Sequence, residues 1–155
     1  YMDSFEGKVA VITGAASGIG LAMAQRFARE GMRLVLADVD ENGAVRAASD
    51  IGEQAIAFRA DVAVPGDMEA LASRAHGAFG AVHILCNNAG IGGPFAPCWE
   101  LEIADWERVL GVNLWGVIHG IRAFVPRMIA SGEEGHIVNT ASMAGLLSMP
   151  HGAAY

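Results

Sequence analysis

A chain of 155 residues that is 53% hydrophobic and 17% charged has the composition of a folded domain, which excludes a disordered tail or a fibre. Ten Lys and Arg against seventeen Asp and Glu give a formal net charge of −7 with no basic run, which argues against nucleic acid as a partner. Cys86 and Cys98, the two cysteines, show neither zinc spacing nor a disulfide framework, and they point to a reducing, cytoplasmic setting.

At this length a domain buries about 70% of the surface its unfolded chain exposes, so neither metals nor disulfides are needed to hold it together. Tyr1 precedes Met2, an order that suggests an added first residue. Lys8 to Thr13 (KVAVIT) is a β-branched run ended by Gly14, and Met32 to Asp38 (MRLVLAD) is a second run ended by a carboxylate. Both predict buried strands. Between them Ile19, Met23 and Phe27 recur every fourth residue, with Leu21, Ala24 and Ala28 on the same side and Gly31 as the stop, which predicts a helix.

The pattern continues with a helix over Glu41 to Ile51, a strand over Gln54 to Ala60, a helix over Gly66 to Ala78 and a strand over Val82 to Cys86. A helical stretch from Trp99 to Ala130 is expected to break near Gly111 into two helices, with Pro126 kinking the second or costing it a hydrogen bond. Met128, Ile129 and Phe124 read as a helix stripe of core or partner surface. The strand His136 to Ala141 follows. No apolar run approaches the roughly 18 residues of a membrane span and no signal segment opens the chain, so no membrane role is expected. Strands alternating with helices of this length predict an α/β fold: a Rossmann-like, doubly wound parallel sheet of about five strands, helices on both faces, in a single domain over 1–155.

Thr13-Gly14-Ala15-Ala16-Ser17-Gly18-Ile19-Gly20 lies between the first strand and its helix. A plain tight turn would explain the glycines, but strand-turn-helix is the context that phosphate binding requires. Gly14 permits an unusual backbone angle, Gly18 lets the chain approach a pyrophosphate, and Gly20 lets the helix pack closely. The helix N-terminus supplies free N–H groups and partial positive charge. Asp38 lies eighteen residues beyond Gly20, near the roughly 20-residue offset at which an acid meets ribose hydroxyls. A carboxylate there favours NAD over NADP, and neither Ala37 nor Val39 offers a cation; a helix-capping aspartate is the other reading.

With these residues the sequence resembles the short-chain dehydrogenase/reductase family, whose glycine pattern is Thr-Gly-x-x-x-Gly-x-Gly. Asp61-Val62 resembles the family's adenine-contacting pair, Asn87-Asn88-Ala89-Gly90 its Asn-Asn-Ala-Gly signature, Asn113 its helix asparagine, Ser142 its catalytic serine and Tyr155 its catalytic tyrosine. The resemblance covers essentially the whole chain. It implies a cofactor site of Gly14, Ser17, Gly18, Ile19, Gly20, Asp38, Asp61, Val62, Asn88, Ala89 and Gly90 for NAD, and catalysis by Tyr155, Ser142 and Asn113 on a small secondary alcohol or ketone. It also implies homo-oligomers paired through long helices, to which Val117 to Ile129 offers apolar residues, and a full length near 250 for two mononucleotide halves.

Hydride transfer requires the hydroxyl proton to leave in step, so a positioned base is needed. Bringing a phenol from about 10 to about 7 takes roughly 4 kcal/mol, which one cation at about 4 Å supplies at an effective dielectric of 20. The resemblance places that lysine four residues after the tyrosine, beyond Tyr155. The 155 residues are therefore expected to be a C-terminally incomplete part of an oxidoreductase, inactive alone; a catalytically silent dinucleotide sensor or scaffold is the alternative. Ser142, thirteen residues before Tyr155, is suited to bonding the substrate oxygen, though strand-end capping is the plainer role. The resemblance also implies that a backbone irregularity at Asn113 holds a water of a proton relay. Thr140 is a candidate to face the nicotinamide, and Trp115 and His151 to border the substrate. The five histidines, His76, His83, His119, His136 and His151, have no metal spacing, and Cys86 reads as a small buried hydrophobe.

Overall fold

Strand β1 (Val9–Thr13) is buried along its whole length, and its alternating side chains feed two separate cores. Val9 and Val11 pack with Met68, Leu71 and Phe124, while Ala10 and Ile12 pack with Ala24, Leu34 and Ala47. A strand buried on both faces is the mark of a parallel sheet sandwiched by helices. The computed structural model describes residues 2, 4–147 and 149–155; Tyr1, and with it the suggestion about its origin, lies outside the described residues.

In chain order the elements are β1, α1 (Gly18–Arg29), β2 (Arg33–Asp38), α2 (Glu41–Ile51), β3 (Ala55–Arg59), α3 (Pro65–Phe79), β4 (Ile84–Asn87), α4 (Ile103–Leu110), α5 (Gly116–Ser131) and β5 (His136–Asn139). All strand pairs are parallel, in the order β3-β2-β1-β4-β5. Helices α1 and α2 cover one face, α3 and α5 the other. The chain winds outward from β1 to β3, then crosses back to β4. Loops therefore diverge between β1 and β4, and a crevice opens at the carboxyl ends of these strands.

The predicted strands sit where expected, with ends moved by one or two residues. β5 stops at Asn139, short of Ala141, because its partner ends at Asn87 and the ladder has nothing left to pair with. α4 starts at Ile103 instead of Trp99, set by a capping box between Glu102 and Asp105.

Two expectations are corrected. There is no break at Gly111: α4 and α5 are joined through a π-helical segment, Gly111–Trp115, into one helix from Ile103 to Ser131. One inserted residue widens the turn without interrupting it. The second correction follows from the first, because this helix is long and apolar enough to cross a bilayer by length and composition. Here it covers the sheet, with Val109, Gly116, Gly120, Ala123, Phe124 and Met128 buried. Helix α5 also runs uninterrupted through Pro126.

Candidate functional site

The crevice is a cleft of about 680 Å³, and residues from every part of the chain converge on it. The turn after β1 supplies Gly14, Ser17, Gly18 and Ile19; the end of β2 supplies Asp38; the segment after β3 supplies Asp61 and Val62. Asn88, Ala89 and Gly90 follow β4, Asn113 comes from the π-helical segment, and Ser142 and Tyr155 come from beyond β5. Of the residues that the resemblance assigns to cofactor and catalysis, Gly20 alone stands behind the lining.

Gly14 has φ +67°, and a Cβ there would meet the Ala89 Cα at 2.9 Å. Only glycine allows both the backbone angle and the contact. A Cβ at Gly20 would strike the Gly14 carbonyl oxygen and sit 2.8 Å from Asn88 Nδ2. The expected role of Gly20, close packing of the helix on the sheet, is thus realised as close packing of the helix on the turn itself.

Ser17 is the N-cap of α1, yet its side chain makes no capping bond and the first turn of α1 contains no acidic residue. The helix therefore presents unsatisfied N–H donors and partial positive charge to the cleft, with nothing of the protein's own to neutralise them. Among the described residues no Lys or Arg lines the cleft; the charged groups there are Asp38 and Asp61. That donor set fits a pyrophosphate held by backbone, with hydroxyl-bearing groups towards the carboxylates.

Asp38 does more than mark a strand end. Its Oδ2 accepts from Ala16 N at 2.9 Å and its Oδ1 from Asp40 N at 3.0 Å, so it ties the glycine-rich turn to β2. The cap of α2 is Asp40, which accepts from Gly43 N; the capping reading of Asp38 is set aside. Asp61 Oδ1 accepts from Ala63 N at 2.9 Å, closing a local turn that sets Val62 against α5.

Ser142 sits in extended backbone, and its Oγ accepts from Ala144 N at 3.2 Å, capping a short 3₁₀ turn over Met143–Gly145. A hydroxyl has one proton and two lone pairs, so this bond orients the oxygen and leaves the proton free for a neighbour in the cleft. Asn113 has both amide atoms engaged by one residue: Oδ1 accepts from Ile91 N and Nδ2 donates to Ile91 O, each at 2.9 Å. The irregular backbone expected there is present as the π-helical segment, and the side chain fastens the loop after β4. Tyr155 is half exposed at the cleft. Trp115 and His151 are not among the lining residues; Trp115 stacks obliquely on His119, and His151 on Phe95.

Thr13 and Asn139 were not singled out as site residues, yet they hold the floor together. Thr13 Oγ1, buried, donates to Cys86 O and accepts from Asn88 N and Ala89 N at 3.0 Å. Asn88 Nδ2 donates to Thr13 O at 2.9 Å, and Asn88 Oδ1 accepts from Thr140 at 3.0 Å. Asn87 Nδ2 donates to Asn139 Oδ1 at 2.9 Å. A polar residue ending an otherwise apolar strand was the available signal. Cys86 is fully buried, which pushes its thiol up to about 11, and no metal-ligating cluster occurs among the described residues.

The family model for short chain dehydrogenase matches residues 8–155. SadH of Mycobacterium tuberculosis, which carries an oxidoreductase name, is 46% identical over 157 residues, covering 99% of this chain and 56% of that protein. Cyclohexanol dehydrogenase of Acinetobacter sp. strain SE19 is 41% identical over 156 residues, covering 99% and 62%. A short chain dehydrogenase/reductase from Burkholderia phymatum, solved in complex with NAD, superposes with a TM-score of 0.94 at 49% identity, covering 99% of this chain and 57% of that one. The chain thus spans a little over half the length of these proteins.

Proposed function

The chain belongs to the short chain dehydrogenase family, and from that premise we propose that it is the dinucleotide-binding part of an oxidoreductase interconverting secondary alcohols and ketones with NAD. One observation carries the reading. A single cleft gathers the uncapped α1 N-terminus, the Asp38 carboxylate and the hydroxyls of Ser142 and Tyr155, which is the set that binding a dinucleotide and moving a proton beside it requires.

A nicotinamide bound there would supply hydride exchange with the carbinol or carbonyl carbon of the substrate. The chain's own residues do the rest. The N–H groups at the start of α1 would hold the pyrophosphate, Asp38 would accept from the ribose hydroxyls, and Asp61 and Val62 would border the adenine. Preference for NAD over NADP rests on the Asp38 charge, which repels a further phosphate, and is supported by the NAD complex of the Burkholderia phymatum relative. Ser142, oriented by Ala144 N, donates its proton to the substrate oxygen. Tyr155 Oη receives the hydroxyl proton on oxidation and gives it back on reduction. Asn113 holds Ile91 in place, and the widened turn around it offers main-chain groups for a relay water.

Leu110, Leu114, Trp115 and Ile121 are exposed on the long helix and would pair two copies of the whole protein. The test is Tyr155→Phe in the longest native polypeptide containing this chain. NAD-dependent oxidation of cyclohexanol should fall by about 10² or more while NAD affinity, followed by calorimetry, stays within twofold. Retained turnover would overturn the assignment; NAD binding without turnover by any secondary alcohol in the unaltered protein would favour a sensor.

A further inference from the structure

Residues 60–64 lead from β3 to α3, and Ala60, Asp61 and Val62 among them line the cleft. Much of this segment is fastened by its own surroundings. Ala60 N donates to Asp38 O at 3.0 Å, Asp61 N to Asp67 Oδ2 at 2.9 Å, and Val64 N to Asp61 O at 3.0 Å. The long helix grips it at one residue. The buried Val62 side chain sits against Gly116, where a Cβ would find no room. Three residues further along the same helix face, His119 Nδ1 lies 3.0 Å from the Val62 carbonyl oxygen. A carbonyl can only accept, so Nδ1 carries the proton and donates. Among the described residues this is the only hydrogen bond between residues 60–64 and the long helix. The imidazole is steadied in turn by Trp115, whose ring centroid lies 6.0 Å away at a tilt of 31°.

We propose that His119 is a positioning residue for the dinucleotide, fixing the Val62 peptide and with it the wall against which the adenine would lie. This rests on the reading that Asp61 and Val62 border the adenine. His119 stands behind the lining, so it acts through Val62. With the Val62 side chain wedged at Gly116 and its carbonyl held by His119, the peptide plane has one orientation. Without the donor, a carbonyl inside the fold has lost its partner, and the segment regains one by turning towards water. That turn draws Val62 out of the wall. Strands β3 and β5 are the outer strands of the sheet, so the segment after β3 stands at the opposite edge from Ser142 and Tyr155, which follow β5. The effect therefore falls on dinucleotide affinity and leaves proton transfer alone.

The test uses two variants of the longest native polypeptide containing this chain. His119→Phe keeps a ring beside Trp115 and removes the donor, whereas His119→Asn puts an amide nitrogen as far along the side chain as Nδ1. His119→Phe should weaken ADP binding, followed by calorimetry, and raise the KM for NAD, each about fivefold, the scale of one lost hydrogen bond. The kcat for cyclohexanol at saturating NAD should stay within about twofold, and His119→Asn should restore both ADP binding and KM, as one regained hydrogen bond would. Hydrogen exchange over residues 61–64, measured without nucleotide, should be faster in the Phe variant alone. Unaltered ADP affinity in the Phe variant overturns the proposal whatever its exchange. So does an Asn variant as weak as the Phe variant, or a kcat that falls as far as KM rises, because His119 then supports the fold at large. An unaltered protein that binds neither ADP nor NAD overturns the dinucleotide reading and the proposal with it, and exchange over residues 61–64 that still responds to His119→Phe tells that failure from the others.

Discussion

Asp38 is the residue on which cofactor choice and site rigidity meet. Its two oxygens already accept from Ala16 N and Asp40 N, and each retains a further lone pair for a ribose hydroxyl. Truncation by Asp38→Ala removes both the brace and the proposed ribose contact. Hydrogen bonds to a charged group are worth about 1.5 to 3 kcal/mol, so NAD affinity should fall by roughly 10-fold to 100-fold. NADP loses the same brace but escapes a repulsion, so its affinity should fall less and the ratio between the two should narrow. Titration calorimetry with both dinucleotides decides the matter, and parallel losses would reduce Asp38 to a brace of the turn. The position of this residue was legible from its offset to the glycines. Its bond to Ala16 was not, because a carboxylate at a strand end is equally compatible with capping the next helix, and only the fold shows Asp40 taking that role.

Among the elements, the α/β alternation was legible because buried parallel strands are short β-branched runs and the helices between them keep a near four-residue period. The long helix was misread at Gly111, where glycine followed by Val112 and Asn113 lowers helix propensity. Propensity was outweighed by packing. The sheet face needs covering from Val112 to Met128, and a π-helical insertion lets the helix pass the Val62 segment while Asn113 reaches Ile91. Gly116 marks that passage: a Cβ there would lie 2.7 Å from Val62 Cγ2 and 3.0 Å from Val62 Cβ. Two effects oppose each other in Gly116→Ala. Helix propensity favours alanine by up to about 1 kcal/mol, whereas overpacking against a stiff β-branched side chain costs about 1 to 3 kcal/mol. The clash should win, lowering the urea midpoint and, because Val62 borders the cleft, weakening NAD binding. Val62→Ala in the same protein should restore the midpoint, and a more stable single variant would show that the helix is free to move outwards.

At the scale of the molecule the two ends of the sheet do different work. The carboxyl ends of the strands carry the cleft, and the amino ends of β1, β4 and β5 are fastened by one imidazole residue. His83 N donates to Val9 O, His136 N donates to His83 O, and the buried His83 Nδ1 accepts from Val9 N at 3.0 Å. That last bond requires an unprotonated Nδ1. Burial lowers the His83 pKa below 6.5, with Lys8 and Arg33 adding to the effect and Glu133 and Glu134 opposing it; Glu133 lies 3.8 Å from Nε2 and is shared with Lys8. The unfolded chain therefore binds the proton more readily than the folded one. Stability from this group is fully present above about pH 6.5 and is lost as the pH falls towards the folded value. His83→Gln, which keeps an acceptor that does not titrate, should flatten the fall in urea midpoint between pH 7.5 and pH 5. An unchanged slope would move the acid sensitivity to the carboxylates. Since His83 stands at the end of the sheet away from Asp38 and Tyr155, NAD affinity at pH 7.5 should be the same with either residue. A loss there would mean that the strand ends are mechanically coupled through β1 and β4, whose register sets the width of the cleft.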